Sequence, residues 1–309
     1  MFKGINRIEF SKCFCSNDAC YQYLIEQKWG NGFRCVRCSH TCWYKGKTYH
    51  HRRCKKCMYD ENVTCNTVFH DLKMPVLKAF QMMFRVVAKK KGISTVELAT
   101  EVGVQQKTAW FFKRKIQISL KPAKDFKLEN KVEMDETLVG SYCADAPGRS
   151  LESKQAVMVA IEKLEDGRIG NIALKHIEGF EADIFHQAVD EMINQEAQIT
   201  TDDFPSWKAL KKDLPALETK KSDKGKGFKD LHVQIMLIKL WLRGIHHKCS
   251  PGYLQSYLNE YAFRFNNRNC RYKIFHLLLS NMMHLEPQPF IRKKRLCALN
   301  TQFDKYVQK

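Results

Sequence analysis

Lys131 to Gly140 reads KVEMDETLVG, an apolar, β-prone run that carries the carboxylate of Asp135 in its middle, flanked by Glu133 and Glu136. Such a run predicts a strand, and a carboxylate fixed on a strand is a rigid place to hold a hard cation. Side chains alternate along a strand, so Glu133 is expected on the face of Asp135 and Glu136 on the opposite face. Downstream, QAVMVAIEKL closes on Glu165-Asp-Gly-Arg168, and RIGNIALKHI follows. These predict two further strands joined by a hairpin at Asp166-Gly167. A helix over about Glu181 to Asn194 comes next, then a fourth strand, AQITTDD, ending in Asp202 and Asp203. Three antiparallel strands, a helix, another strand and more helices give an α/β order typical of a ribonuclease-H-like domain. In that order the first and fourth strands are neighbours, so Asp135 and Asp202 converge on one metal pocket, with Asp203 as the alternative to Asp202 and a helix-capping role for Asp202 as the plain alternative. Two Mg²⁺ or Mn²⁺ ions between carboxylates are the usual machinery for phosphodiester chemistry.

The rest of the chain tells what such a site would meet. Of 309 residues, 52 are Lys or Arg against 33 Asp or Glu, a formal charge of +19 spread along the whole length. That balance points to an extended polyanion, nucleic acid before a membrane surface. The sequence contains no apolar run of about 18 residues and no signal-peptide core, so a cytoplasmic protein is expected. Thirteen cysteines are unevenly placed, eight of them before Asp60, and in a reducing compartment that clustering points to metal rather than disulfides.

Cys35-Val-Arg-Cys38 and Cys54-Lys-Lys-Cys57 are two CxxC knuckles fifteen residues apart, the spacing of a four-cysteine zinc site. Cys13, Cys15, Cys20, Cys42 and Cys65 complete no second set, while His50 and His51 lie near enough to compete as ligands. Tyr21, Leu24, Ile25 and Trp29 predict a short helix packed on the ribbon. Pro75 opens an apolar helix, and Ser94-Thr-Val-Glu97 is a capping box for a short helix that Gly103 ends. A second helix follows, QQKTAWFFKRKIQ, which makes a helix-turn-helix pattern. Gln105, Gln106, Lys107, Lys113 and Arg114 are its candidate DNA contacts. Lys224 and Lys226, within the lysine-rich run 220 to 229, are further phosphate contacts, as is the basic run Arg292 to Arg295.

These stretches carry a resemblance. YLIEQKWGNGFRCVRC, the second knuckle, KTAWFFKRKI, VEMDETLVG and GIHHKCSPGYLQSYLNEYAFRFNNR resemble, in order, the zinc-ribbon-bearing DDE transposases of bacterial insertion sequences, the ISXO type, over roughly Cys20 to Arg268. The resemblance implies an enzyme that cuts at transposon ends and joins the freed 3′-hydroxyl to target DNA. It implies structural Zn²⁺ on Cys35, Cys38, Cys54 and Cys57, catalytic Mg²⁺ or Mn²⁺, double-stranded DNA as partner, a homodimer or larger assembly, and a nucleoid-associated location. Asp135 and Asp202 match the first two catalytic acids. The third falls on Leu237, which cannot bind a metal, and Glu260 is the alternative, against a plain pairing with Arg264. His246 and His247, with Arg264 and Arg268, are expected near DNA phosphates, as are His232 and Lys239. The expected divisions are 1–70 ribbon, 71–121 helix-turn-helix, 131–285 catalytic domain and 286–309 basic tail. The competing expectation is a decayed or domesticated transposase that binds DNA without cutting it.

Overall fold

The computed structural model describes residues 2, 4, 6–123, 125–140, 150–152, 154–221, 227–246 and 249–287. The chain divides into two compact units, one formed by Met1–Leu120 with Cys270–Ile291 and the other by Lys121–Asn269.

The first unit opens with α1 (Arg7–Cys13) and α2 (Asn17–Trp29), capped by the side chains of Asn6 and Ser16. A small antiparallel sheet follows, β1 (Trp43–Lys45), β2 (His51–Cys54) and β3 (Asp60–Asn62), in that order. It is joined to α2 by an internal ion pair. Glu61, fully buried, takes Lys28 at 2.9 Å and the Val36 N–H at 3.2 Å. Then come α3 (Val76–Ala88), α4 (Thr95–Val102) and α5 (Gln106–Ser119). The Ser94 hydroxyl caps α4 by accepting from the Glu97 N–H at 3.1 Å, while the Glu97 carboxylate of the expected capping box pairs with Lys89, and Gly103, at φ 67°, ends α4 in the left-handed conformation that glycine adopts freely. The chain later returns as α10 (Ile274–His284), whose Phe275 packs against Phe2, Phe10, Phe14 and Phe80. The first compact unit thus takes in α10, which lies inside the 131–285 span expected for the catalytic domain, because its apolar residues are buried in the aromatic core of that unit.

The second unit is a five-stranded sheet. Its strands are β4 (Lys131–Gly140), β5 (Lys154–Lys163), β6 (Ile169–Ile177), β7 (Gln198–Thr201) and β8 (Leu217–Thr219), in the order β6-β5-β4-β7-β8. β4 and β6 run antiparallel to β5, and β7 runs parallel to both β4 and β8. β5 is covered on both faces, which explains its nearly continuous apolar sequence. Ala156, Met158 and Ala160 face a core built with α6 (Ala182–Met192) and α7 (Pro205–Leu210). Val157, Val159 and Ile161 face a second core built with α8 (Lys229–His246) and α9 (Pro251–Asn266). On β4 the same alternation puts Val132 and Met134 into the first core and Val139 into the second.

Candidate active site and metal centre

β7 is short. Its last ladder partner on β4 is Met134, opposite Thr201, so Asp202 leaves the ladder beside Asp135. The carboxylate oxygens of Asp135, Glu136 and Asp202 lie within 4.8 Å of one another. Glu136 does point to the face opposite Asp135, where the Trp207 indole N–H donates to its Oε2 at 3.2 Å. It nevertheless joins the group, because β4 has no ladder partner on this side beyond Met134 and carboxylates from both faces reach the open edge. Asp202 accepts from the Phe204 N–H at 3.2 Å, a turn that fixes its side chain ahead of α7. Asp203 pairs with Lys208 at 3.0 Å and stays outside the group.

Glu133 shares the Asp135 face as expected. One of its oxygens is buried without a hydrogen bond, and burial pushes its carboxyl above the ordinary range, with Lys163 opposing, Asp230 adding and Lys220 opposing. On that face α8 crosses the sheet. His232 Nε2 stands 3.5 Å from Asp135 Oδ2. Burial lowers the Lys239 ammonium below its usual value, Asp135 opposes this and Arg243 adds to it, which places all three charges in one neighbourhood. The intervening cleft, about 440 Å³, has Asp135 and Thr137 on one wall and His232, Met236, Lys239, Leu240 and Arg243 on the other.

Glu260 lies apart from this carboxylate group. It is fully buried on α9, 3.8 Å from Arg264, and belongs to no metal-ligand group among the described residues. Its helix packs along β6, where Gln255 and Asn266 bond the strand's backbone, two strands away from β4. Leu237 is 40% exposed on α8.

Several expected DNA contacts are turned inward. Lys113 is 2% exposed and its ammonium donates to the Ile93 carbonyl at 2.7 Å, while Arg114 is 7% exposed and bonds Gln117. α5 has a buried face wide enough to take in two of its cations, with only its first turn left in solvent. Gln105, Gln106 and Lys107 are exposed there. The Arg264 side chain is 11% exposed beside Glu260. Arg268 donates to the carbonyls of Ile169 and Gly170 and stacks on Phe265, holding the end of α9 against β6. The His246 ring stacks on Tyr257 at 3.6 Å. Lys224, Lys226, His247 and the run 292–295 lie outside the described residues.

The first unit gathers a second ligand set, Cys35, Cys38, Cys54 and Cys57. The sulfurs of Cys35 and Cys57 are 3.6 Å apart, those of Cys38 and Cys54 3.5 Å. Four sulfurs at the usual zinc distance of about 2.3 Å stand about 3.8 Å apart in a tetrahedron, so the observed spacing fits. The residue after each knuckle, Ser39 at φ 57° and Met58 at φ 58°, takes the left-handed turn that folds two sulfurs to one side. The histidines do not compete: His51 bonds Thr48 and His50 stacks on Tyr21.

Residues 127–266 match the ISXO2-like transposase domain. Over these residues the chain is similar to the transposase domain of that family. The match spans β4 to β8 and ends at the last residue of α9, so both aspartates and the α8 face fall within the matched segment. Two solved structures are also similar, a pre-cleavage Mos1 transpososome and a Mos1 transposase paired-end complex with left transposon end. Each is 12% identical; they cover 68% and 67% of this chain and 79% and 80% of their own, at TM-scores of 0.29 and 0.30, too low to support any statement about this chain. No curated protein matches. Among the described residues, no helix is long and apolar enough to cross a membrane.

Sequence reasoning missed Glu136 as a member of the carboxylate group and Trp207 as its hydrogen-bond donor. The fourth strand is expected from sequence to run through Asp203, whereas β7 ends at Thr201 and leaves the β4 edge open where Asp135 and Glu136 are adjacent.

Proposed function

We propose that the chain is a metal-dependent DNA transposase with a ribonuclease-H-like catalytic domain, one that cuts at transposon ends and joins the freed 3′-hydroxyl to target DNA. The observation that carries this reading is the approach of Asp135, Glu136 and Asp202 within 4.8 Å on adjacent strand edges of a transposase domain. Three carboxylates so close repel one another, and hard divalent cations are what such an oxygen donor set accepts. Mg²⁺ or Mn²⁺ bound there supplies charge stabilisation to the attacking and departing oxygens of a phosphodiester.

The chain's own residues do the rest. Trp207 fixes Glu136, and the turn at Phe204 fixes Asp202, so the ligands are oriented before substrate arrives. His232, Lys239 and Arg243 face the cleft and hold the phosphates on either side of the scissile one. Gln105, Gln106 and Lys107, exposed at the start of α5 behind the α4 turn, meet base edges and backbone as the second helix of a helix-turn-helix. The cysteine set holds structural Zn²⁺. Double-stranded DNA is the partner, two element ends require a dimer or larger assembly, and the protein works on the nucleoid of a bacterial cytoplasm.

Leu237 favours a second reading, a DNA-binding protein that has lost cleavage. The two separate with Asp135→Ala, assayed on duplexes tiling the DNA that flanks the coding region. The proposal expects Mg²⁺-dependent cleavage by the native chain, abolished in the variant while DNA affinity stays within about threefold. Cleavage by the variant, or none by the native chain in Mg²⁺ or Mn²⁺, overturns it.

A further inference from the structure

The cleft beside Asp135 is half apolar, which phosphate chemistry alone does not require. Met236 and Leu240 stand 51% and 56% exposed on α8, one turn apart, and both line the cleft. Val233 and Leu237, each 40% exposed, continue the stripe at helical spacing. Large apolar side chains left in water beside a carboxylate group mark a surface that something covers.

The charges around the stripe choose among occupants. His232, Lys239 and Arg243 lie on the same side of α8, spread over about 16 Å of helix. A second copy of α8 would bring like charges together, whereas a polyanion is matched by them. A stacked duplex, however, presents only phosphates and sugars along its outside and offers Met236 and Leu240 no apolar partner. An unstacked base offers an apolar face, and Met and Leu are among the side chains that wedge between base steps. The cleft volume, about 440 Å³, is also in the range of sites that enclose a small planar group.

We propose that Met236 and Leu240 hold a base unstacked next to the scissile phosphate, so that α8 separates the strand end from its complement as the carboxylate group engages it. This rests on the transposase reading and names what the apolar half of its site recognises: a nucleobase swung out of the helix, its flanking phosphates on His232, Lys239 and Arg243. The two side chains act as positioning residues, since they lie beside the reacting phosphate rather than on it.

The test places 2-aminopurine at successive positions around the cut site of a flanking-DNA duplex and follows its fluorescence on binding full-length protein in Ca²⁺, with binding read separately by anisotropy. The native chain should raise emission severalfold at one or two adjacent positions. Met236→Ser with Leu240→Ser, both at exposed sites, should abolish the rise, leave affinity within about threefold and slow cleavage about tenfold or more. A mismatch at the responding position should restore the variant's cleavage rate, which mere damage to the fold would not allow. Binding without a rise at any position, or a rise unchanged in the variant, overturns this inference and leaves the transposase reading standing. Failure to bind DNA overturns both. Concentration-dependent self-association lost in the variant would instead assign the stripe to a second copy and overturn the base-holding role.

Discussion

Replacing Glu260 by Gln separates a structural acid from a metal ligand, because the two roles predict opposite results. Glu260 is fully buried and its carboxylate lies 3.8 Å from the Arg264 guanidinium, itself 11% exposed. Removing one partner of a buried ion pair costs about 3–5 kcal/mol, since the remaining charge loses its compensation in a poorly solvated place. Here the contact is longer than the roughly 2.8 Å of a charge-assisted hydrogen bond, and Arg264 keeps some access to water. Both facts move the cost to the lower end, about 2–3 kcal/mol. For a unit of about 150 residues, each kcal/mol shifts the melting temperature by about 2–4 °C, so Glu260→Gln should lower it by about 4–12 °C in calorimetry of the full chain. Its Mn²⁺ affinity, measured by titration calorimetry, should stay within about twofold of the native value. Glu136→Gln should do the reverse: a loss of about tenfold or more in Mn²⁺ affinity, with little change in stability, since Gln still accepts from Trp207. Unchanged stability together with a tenfold loss of Mn²⁺ affinity in Glu260→Gln would refute the argument and return Glu260 to the metal site.

Two further expectations concern the first unit. Hydrogen bonding from Arg85 holds the Glu101 carboxyl down to about 2, against burial and with Lys89 at 2.9 Å assisting. A carboxyl lowered in the fold contributes stability that is fully present above its ordinary value near 4.5 and fades as pH falls toward 2. Glu101→Gln should therefore cost about 1 kcal/mol at pH 7 after solvent screening, less in high salt and nothing near pH 2, as read by urea unfolding; an equal cost at pH 2 would contradict this. For DNA binding, Lys107→Ala should reduce the slope of log affinity against log salt by about 1, whereas Lys113→Met should leave that slope unchanged. A reduced slope for Lys113→Met would mean that the ammonium leaves the Ile93 carbonyl for a phosphate.

The strands were legible because each side of the sheet leaves its mark on composition. β4, β5 and β6 are found from apolar runs and the Asp166-Gly167 turn, and Asp202 from the end of a short strand after a helix. The four cysteines were legible for a different reason: a tetrahedral site needs two knuckles, and spacing alone announces them. β8, three residues long, and α1, seven residues long, carry too little pattern to announce themselves. The packing of Phe275 against the N-terminal phenylalanines places α10 in the first unit, a contact between distant parts of the sequence that no local pattern announces.

Cationic residues were the least legible part, and the reason is general. A guanidinium or ammonium has a long apolar stem and several donors, so it can cap a strand end or bridge buried carbonyls as readily as it meets a phosphate. Arg268 ties down β6 and Lys113 holds the loop before α4, and neither task has a signature distinct from that of a DNA contact. Charge counted over the chain speaks of a polyanion partner, but it does not say which charges are spent inside.

The geometry also changes what Leu237 means. A site that drew its third carboxylate from α8 would need a helix, a strand end and a second strand to hold register together, and leucine at 237 would leave it with two ligands. Here two of the three carboxylates are consecutive on β4, and the third leaves β7 at the pair that ends the ladder. The group depends on one structural event, the termination of β7 after Thr201. Had the parallel ladder run one pair further, Asp202 would be drawn into it and the edge from which Glu136 reaches across would be closed. The turn that prevents this is built by Asp202 itself, through the Phe204 N–H, and by Pro205, which cannot donate to a ladder and starts α7 instead. The residue that would bind the metal thus also ends the strand that carries it, and α8, relieved of a ligand at 237, is free to present its apolar stripe to the cleft.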